Sequence, residues 1–204
     1  MRLPVFLLAC LLLAAGCQST PPIGSHAVPA EQPLAPLPVA GASRYALRAD
    51  RSEVRFLVYK AGALSAFGHN HVIQARNLSG EIYLAPDFRQ SGFELTLPVK
   101  DFEVDAPAVR AVEGKDFAKQ PSPEAIAGTR KNMLGPAELD ADQYPEIRVR
   151  SVALNGPDWG PDTTVRISLH GRERDLTVPV AIEHCGEELV VSGGFDILQS
   201  DFGI

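Results

Sequence analysis

Between Arg44 and Ile204 apolar and polar residues alternate with a period of two, interrupted at short intervals by turn residues. Val54, Phe56 and Val58 fall on one side of Glu53 to Lys60, with Arg55, Leu57 and Tyr59 on the other. The same rhythm runs through Phe93-Leu95-Leu97, Ile147-Val149, Val165-Ile167-Leu169, Leu176-Val178-Val180-Ile182 and Leu189-Val191. Successive side chains of an extended chain point to opposite faces, so each run predicts a strand with one apolar face. Ala61-Gly62, Pro86-Asp87, Asn155-Gly156-Pro157, Gly171, Gly186 and Gly193-Gly194 punctuate the runs as turns. Many short strands at this spacing predict an all-β sandwich or barrel. Two stretches depart from the rhythm. Ala106 to Gly114 has proline near its start and glycine at its end, as a short helix should. Ser122-Pro123-Glu124 opens a second helix running to about Met133, with Ser122 as N-cap and Gly135 as terminator. Inserted midway through the strands, the pair predicts a lid or plug at one end.

The pattern upstream is different. Val5 to Ala15 is an unbroken apolar run behind Arg2, closing on Leu13-Ala14-Ala15-Gly16-Cys17. A membrane span needs ~20 apolar residues and a signal-peptide core about 7–15, so this run is a signal rather than a span. Cysteine directly after Ala-Gly resembles the lipobox of bacterial lipoproteins, with Ala14 where leucine is commoner. The resemblance implies cleavage before Cys17, a diacylglyceryl thioether on its sulfur and an acylated amine. Such an anchor exceeds the two signals that stable attachment requires. An ordinary secretory signal with an incidental cysteine is the alternative. Gln18 to Ala42 is rich in proline, alanine and serine, a composition that favours an extended tether over a packed core. His26 falls within it and reads as solvated. The chain thus divides into a signal peptide (1–16), an acylated cysteine with its tether (17–43) and a folded domain (44–204). Where an envelope has two membranes, lipoprotein sorting associates aspartate after the cysteine with inner-membrane retention. Gln18 therefore favours the outer membrane, facing the periplasm.

Composition adds exclusions. Nineteen Lys and Arg against 25 Asp and Glu give a formal charge of −6, and no basic tract appears, which argues against nucleic acid. Cys10 leaves with the signal and Cys17 is the acylation site, so Cys185 has no partner for an intramolecular disulfide. Nothing near Cys185 would activate its thiol, and it is expected to be buried or half-buried. No second apolar run is long enough to span a membrane.

Several segments together resemble the YceI-like family of lipid-binding, lipocalin-like barrels. They are Arg55-Phe56, Phe67-Gly68-His69, Leu78-Ser79-Gly80-Glu81-Ile82 and Leu139-Asp140-Ala141-Asp142-Gln143-Tyr144-Pro145-Glu146-Ile147. Leu169-His170-Gly171, Val178-Pro179-Val180 and Ser200-Asp201-Phe202-Gly203-Ile204 follow in order. The resemblance covers Tyr45 to the end and implies an antiparallel lipocalin-like β-barrel of about eight strands, with a polyisoprenoid held inside some members. It implies no shared catalytic set. Members continue past Asp-Phe-Gly-Ile into a last strand, so the resemblance also implies a final strand beyond Ile204 and a C-terminally truncated sequence.

A barrel of about eight strands has room for packed side chains or one slim ligand. The alternating faces offer Phe56, Val58, Leu95, Leu97, Ile147, Val149, Ile167, Leu169, Val178 and Val180 as an apolar lining. These residues either meet across the middle or surround a lipid; the family resemblance favours an isoprenoid or quinone-like lipid, held without any chemical step. A metal is the competing reading. On a strand, His69 and His71 share a face and could chelate one ion, with His170 as a possible third ligand. His170 would lie with Arg166 and Ser168, opposite Val165, Ile167 and Leu169. The bland alternative has both imidazoles hydrogen-bonded to backbone in a tight turn, or against a ligand's head group. A hydrolase is disfavoured: no Gly-x-Ser-x-Gly occurs, and Ser168 near His170 is strand alternation. Asp105, Glu113 and Glu124 read as helix-end and solvated-surface charges. A non-catalytic interaction scaffold, using an open sheet edge, is the remaining class.

Overall fold

The computed structural model describes residues 27–30, 33–38, 40–60 and 68–204. Cys10, Cys17, His26 and Phe67, with the signal and most of the tether, lie outside the described residues.

The alternating runs are strands. β3 (Val54–Val58), β6 (Gly92–Pro98), β8 (Glu146–Asn155), β9 (Asp162–Leu169), β10 (Arg172–Cys185) and β11 (Glu188–Gly193) each contain a predicted run. β1 (Val28–Pro29), β2 (Ser43–Ala46), β4 (His71–Ala75), β5 (Ser79–Leu84) and β7 (Glu103–Val104) join them. β4 escapes a period-two reading because Val72, Ile73, Gln74 and Ala75 are all buried, so neither face is polar.

Every pairing is antiparallel. One sheet runs β1-β10-β9-β8-β6-β5-β2, with β11 on the far half of β10; the other is β3-β4-β7. The all-β expectation therefore holds, but among the described residues the strands form an open, lipocalin-like cup of two sheets rather than a closed barrel. One break has a local cause. The β9–β10 ladder stops at Asp162↔Pro179, where Pro161 has no N–H to continue it. Beyond that point β10 forms its ladder with β11, through Val180 to Cys185, while the Val180 and Ile182 N–H groups still donate to the Pro161 and Trp159 carbonyls at 3.1 and 2.9 Å. In β8 a bulge between Ser151 and Ala153 turns Val152 out to solvent, where it is 44 % exposed.

One apolar cluster joins the inner faces of both sheets. Ile73 and Ala75 come from the small sheet, and Leu97, Ile147, Val165, Ile167, Leu169, Leu176 and Val178 from the large one. The predicted helices are present, α1 (Pro107–Arg110) as a single turn and α2 (Pro123–Leu134) at full length. Ser122 Oγ accepts from the Ala125 N–H at 3.2 Å, and Gly135 ends α2. Ile126, Met133 and Leu134 carry α2 into the core.

The described part of the proline-rich segment lies along the sheet. β1 pairs with the edge of β10, Val28 opposite Asp175. Further on, Arg150 donates to the Ala35 carbonyl at 2.5 Å. A Cβ on Gly92 would stand 3.0 Å from Pro38 and 3.1 Å from Leu37, so glycine is what admits the segment there.

Truncating Ile167, 3 % exposed, to alanine should cost about 2–5 kcal/mol in urea denaturation. Val152→Ala, outside the cluster, should stay within about 0.5 kcal/mol.

Candidate functional site

The ten candidate lining residues divide in two. Leu97, Ile147, Ile167, Leu169 and Val178 are buried and belong to the packed cluster. Phe56, Val58, Leu95, Val149 and Val180 are half-buried and pack against it. The first five lie side by side on the large sheet, packed in one cluster with Ile73 and Ala75 of the small sheet, so they are core; the second five keep apolar surface accessible. A separate cleft of about 460 Å³ opens beside β5 and β6, against Leu37, Leu47, Leu78, Glu81, Glu94 and Thr96. None of the ten lines it, and its two carboxylates suit it poorly to a hydrocarbon.

The densest polar constellation surrounds Asp105, which adopts a left-handed backbone (φ 53°) just after β7. Its side chain has no solvent exposure. Oδ1 accepts from the Val72 N–H at 2.9 Å and from Arg110 Nη1 at 2.5 Å; Oδ2 lies 2.6 Å from His71 Nδ1. Arg110, 3 % exposed, also donates to the carbonyls of Asn70 at 2.8 Å and Lys119 at 2.7 Å, and lies over the Phe117 ring. Gln120 Nε2 donates to the Asp105 carbonyl at 3.0 Å. Burial alone would raise the Asp105 pKa. The hydrogen bonds from His71, the Val72 amide and Arg110 outweigh it and hold the carboxyl below its ordinary value.

Asp105 is therefore no solvated helix-end charge, as its place before α1 suggested, but the centre of a buried triad. Glu113 also departs from that expectation: its side chain is 14 % exposed and pairs with Arg55. Glu124 fits it, standing in the first turn of α2.

The register assigns His71 a face. Val58 is directly opposite it, as Phe56 is opposite Ile73 and Val54 opposite Ala75. Opposed residues of an antiparallel pair share a face. His71 thus ends the inward row of the small sheet, beside two of the predicted lining residues.

His69 and His71 are neighbours, with ring centroids 6.4 Å apart. His170 does not join them. It takes a left-handed conformation (φ 51°) in the turn after β9, so strand alternation with Arg166 and Ser168 no longer governs it. Its Nδ1 lies 3.3 Å from the Phe202 carbonyl, and its ring meets Tyr144 edge-on. Among the described residues no group of three metal-ligating side chains forms. Arg166 instead makes a two-pronged pair with Asp175, at 2.7 and 2.9 Å. Cys185, expected to be at least half-buried, is exposed because it ends β10 at the hairpin tip with Gly186 and Glu187.

The separate sequence segments that carried the resemblance meet in space. Tyr144 packs on His170, and a Cβ on Gly171 would stand 2.7 Å from the Tyr144 ring. Phe202, with no exposure, enters the core, and its carbonyl faces His170. A Cβ on Gly203 would fall 2.5 Å from the Arg172 guanidinium. These residues are coupled by packing.

An open antiparallel cup of two sheets around one apolar cluster is a lipocalin-like arrangement. The chain belongs to the YceI-like family: the YceI-like domain profile matches residues 45–204. No curated relative matches the sequence. Among solved structures, Burkholderia cenocepacia BcnA is similar at 19% identity and a TM-score of 0.50, covering 64% of this chain and 71% of that one. A mutant CJ YCEI protein is similar at 13% identity and a TM-score of 0.50, over 78% of this chain and 82% of that one. The Campylobacter jejuni YCEI protein aligns at 13% identity, with a TM-score of 0.47, over 64% and 69%. At these identities the likeness is one of fold.

Removing Arg110 strands a buried carboxylate, so Arg110→Ala should lower stability by about 3–5 kcal/mol in chemical denaturation. The acid limb should report the same carboxyl. Its folded-state pKa is depressed, so its contribution is present above the ordinary value of 3.8 and is lost as pH falls through the lower folded value. Stability measured from pH 5 downward should show this decline, and Asp105→Asn should flatten it.

Proposed function

We propose that this protein is a non-catalytic lipid binder of the bacterial envelope, anchored through acylated Cys17 at the periplasmic side of the outer membrane. Its ligand is an isoprenoid or quinone-like lipid lying against Phe56, Val58, Leu95, Val149 and Val180. The observation that carries the reading is this half-buried set in a YceI-like cup, accessible where the other five candidates are locked in the core.

Energetics favour exchange over permanent capture. Moving a CH₂ out of water gains about 0.8 kcal/mol, but a lipid already in a membrane has realised that gain. Retention then depends on shape, dispersion and a head-group contact. A tether raises the effective concentration of protein at the bilayer, which suits a carrier or store.

The test is purification from native membranes, organic extraction and mass spectrometry. One isoprenoid lipid per chain is expected; repeated lipid-free preparations would overturn the reading. The metal alternative at His69 and His71 is checked separately: saturating EDTA should leave Tm unchanged.

A further inference from the structure

The polar end of the inward row has a defined hydrogen-bonding sense. Asp105 Oδ1 receives two donors, the Val72 N–H and the buried Arg110 guanidinium, whose charge keeps the group a carboxylate. Oδ2 therefore takes the proton of His71 Nδ1 at 2.6 Å. A neutral imidazole with its proton fixed on Nδ1 presents a bare lone pair at Nε2. The ring cannot readily take the other tautomer, because Nδ1 would then face a carboxylate without a proton.

Among the described residues, Nε2 has no hydrogen-bond partner. The imidazole is 18 % exposed and Asp105 not at all, and Nδ1 is taken by the buried carboxylate. His71 shares its face of the small sheet with Phe56, Val58 and Ile73. An apolar track that ends in one oriented acceptor recognises an apolar molecule that ends in a donor.

We propose that His71 Nε2 accepts a hydrogen bond from the hydroxyl head of the bound lipid, so that the protein selects isoprenoid alcohols or hydroquinones over their ethers and quinones. The inference rests on the lipid-binding reading above and names the chemistry of that site. A quinone carbonyl or an ether oxygen has no proton to give and sets acceptor against acceptor. Asp105 and Arg110 are positioning residues: they fix the tautomer and the ring plane, and neither reaches the ligand.

The test uses the full chain in detergent and four probes. Octaprenol is compared with its methyl ether, and a decyl-tailed benzoquinol with its quinone, by equilibrium binding. The hydroxyl form of at least one pair should bind about tenfold more tightly. The pair that shows the preference identifies whether the head is an alcohol or a quinol. His71→Phe should reduce the preference to below about twofold, and His71→Gln, which keeps an acceptor, should retain part of it. Equal affinity within both pairs for the unmutated protein would overturn the proposal while leaving lipid binding intact. Failure of all four probes to bind would overturn the lipid-binding reading itself.

Discussion

Among the described residues the two sheets share no ladder, and one apolar cluster holds their inner faces together. Backbone hydrogen bonds fix register within each sheet, whereas the placement of β3-β4-β7 on the larger sheet rests on side chains. Ile73 and Ala75 meet residues from β6, β8, β9 and β10 in that cluster, with Phe102 and Val104 beside them. Such contacts are non-directional and sum over area. They tolerate small shifts better than a ladder does, and they leave accessible apolar surface at the margin where Phe56 and Val58 lie.

Asp105 supplies the rigidity that packing lacks. Its carboxylate ties together β4 through Val72 and His71, and α1 through Arg110. Its own N–H donates to the Val72 carbonyl at 2.8 Å. A buried charge demands a complete set of partners, and the partners here come from two segments, β4 and α1. The consequence is a fixed imidazole at the edge of an otherwise adaptable apolar surface.

Much of the strand layout was legible because most strands have one wet face. Val165-Ile167-Leu169 and Leu176-Val178-Val180 alternate visibly, and the proline and serine signals place α2 almost to the residue. β4 was not legible, since both of its faces are covered. The site was legible only in half. His71 could be singled out by its spacing from His69, but Asp105 and Arg110 are ordinary surface types beside a short helix. Their burial follows from the left-handed turn at Asp105, which no local pattern announces. Likewise Leu95 and Leu97 look alike in sequence and share β6; only the position along the strand relative to the packed cluster separates margin from core.

The segment held by Val28 and Arg150 sets a leash length. Because the chain already joins the sheet at Val28, the slack between Cys17 and the fold is not the whole stretch up to Arg44. From Cys17 to Val28 the chain has 11 peptide steps (28 − 17), and a fully stretched chain gains at most about 3.6 Å per step. With the proposed acyl group on Cys17, the β10 edge can hover no more than about 40 Å from its lipid, close to the thickness of a bilayer.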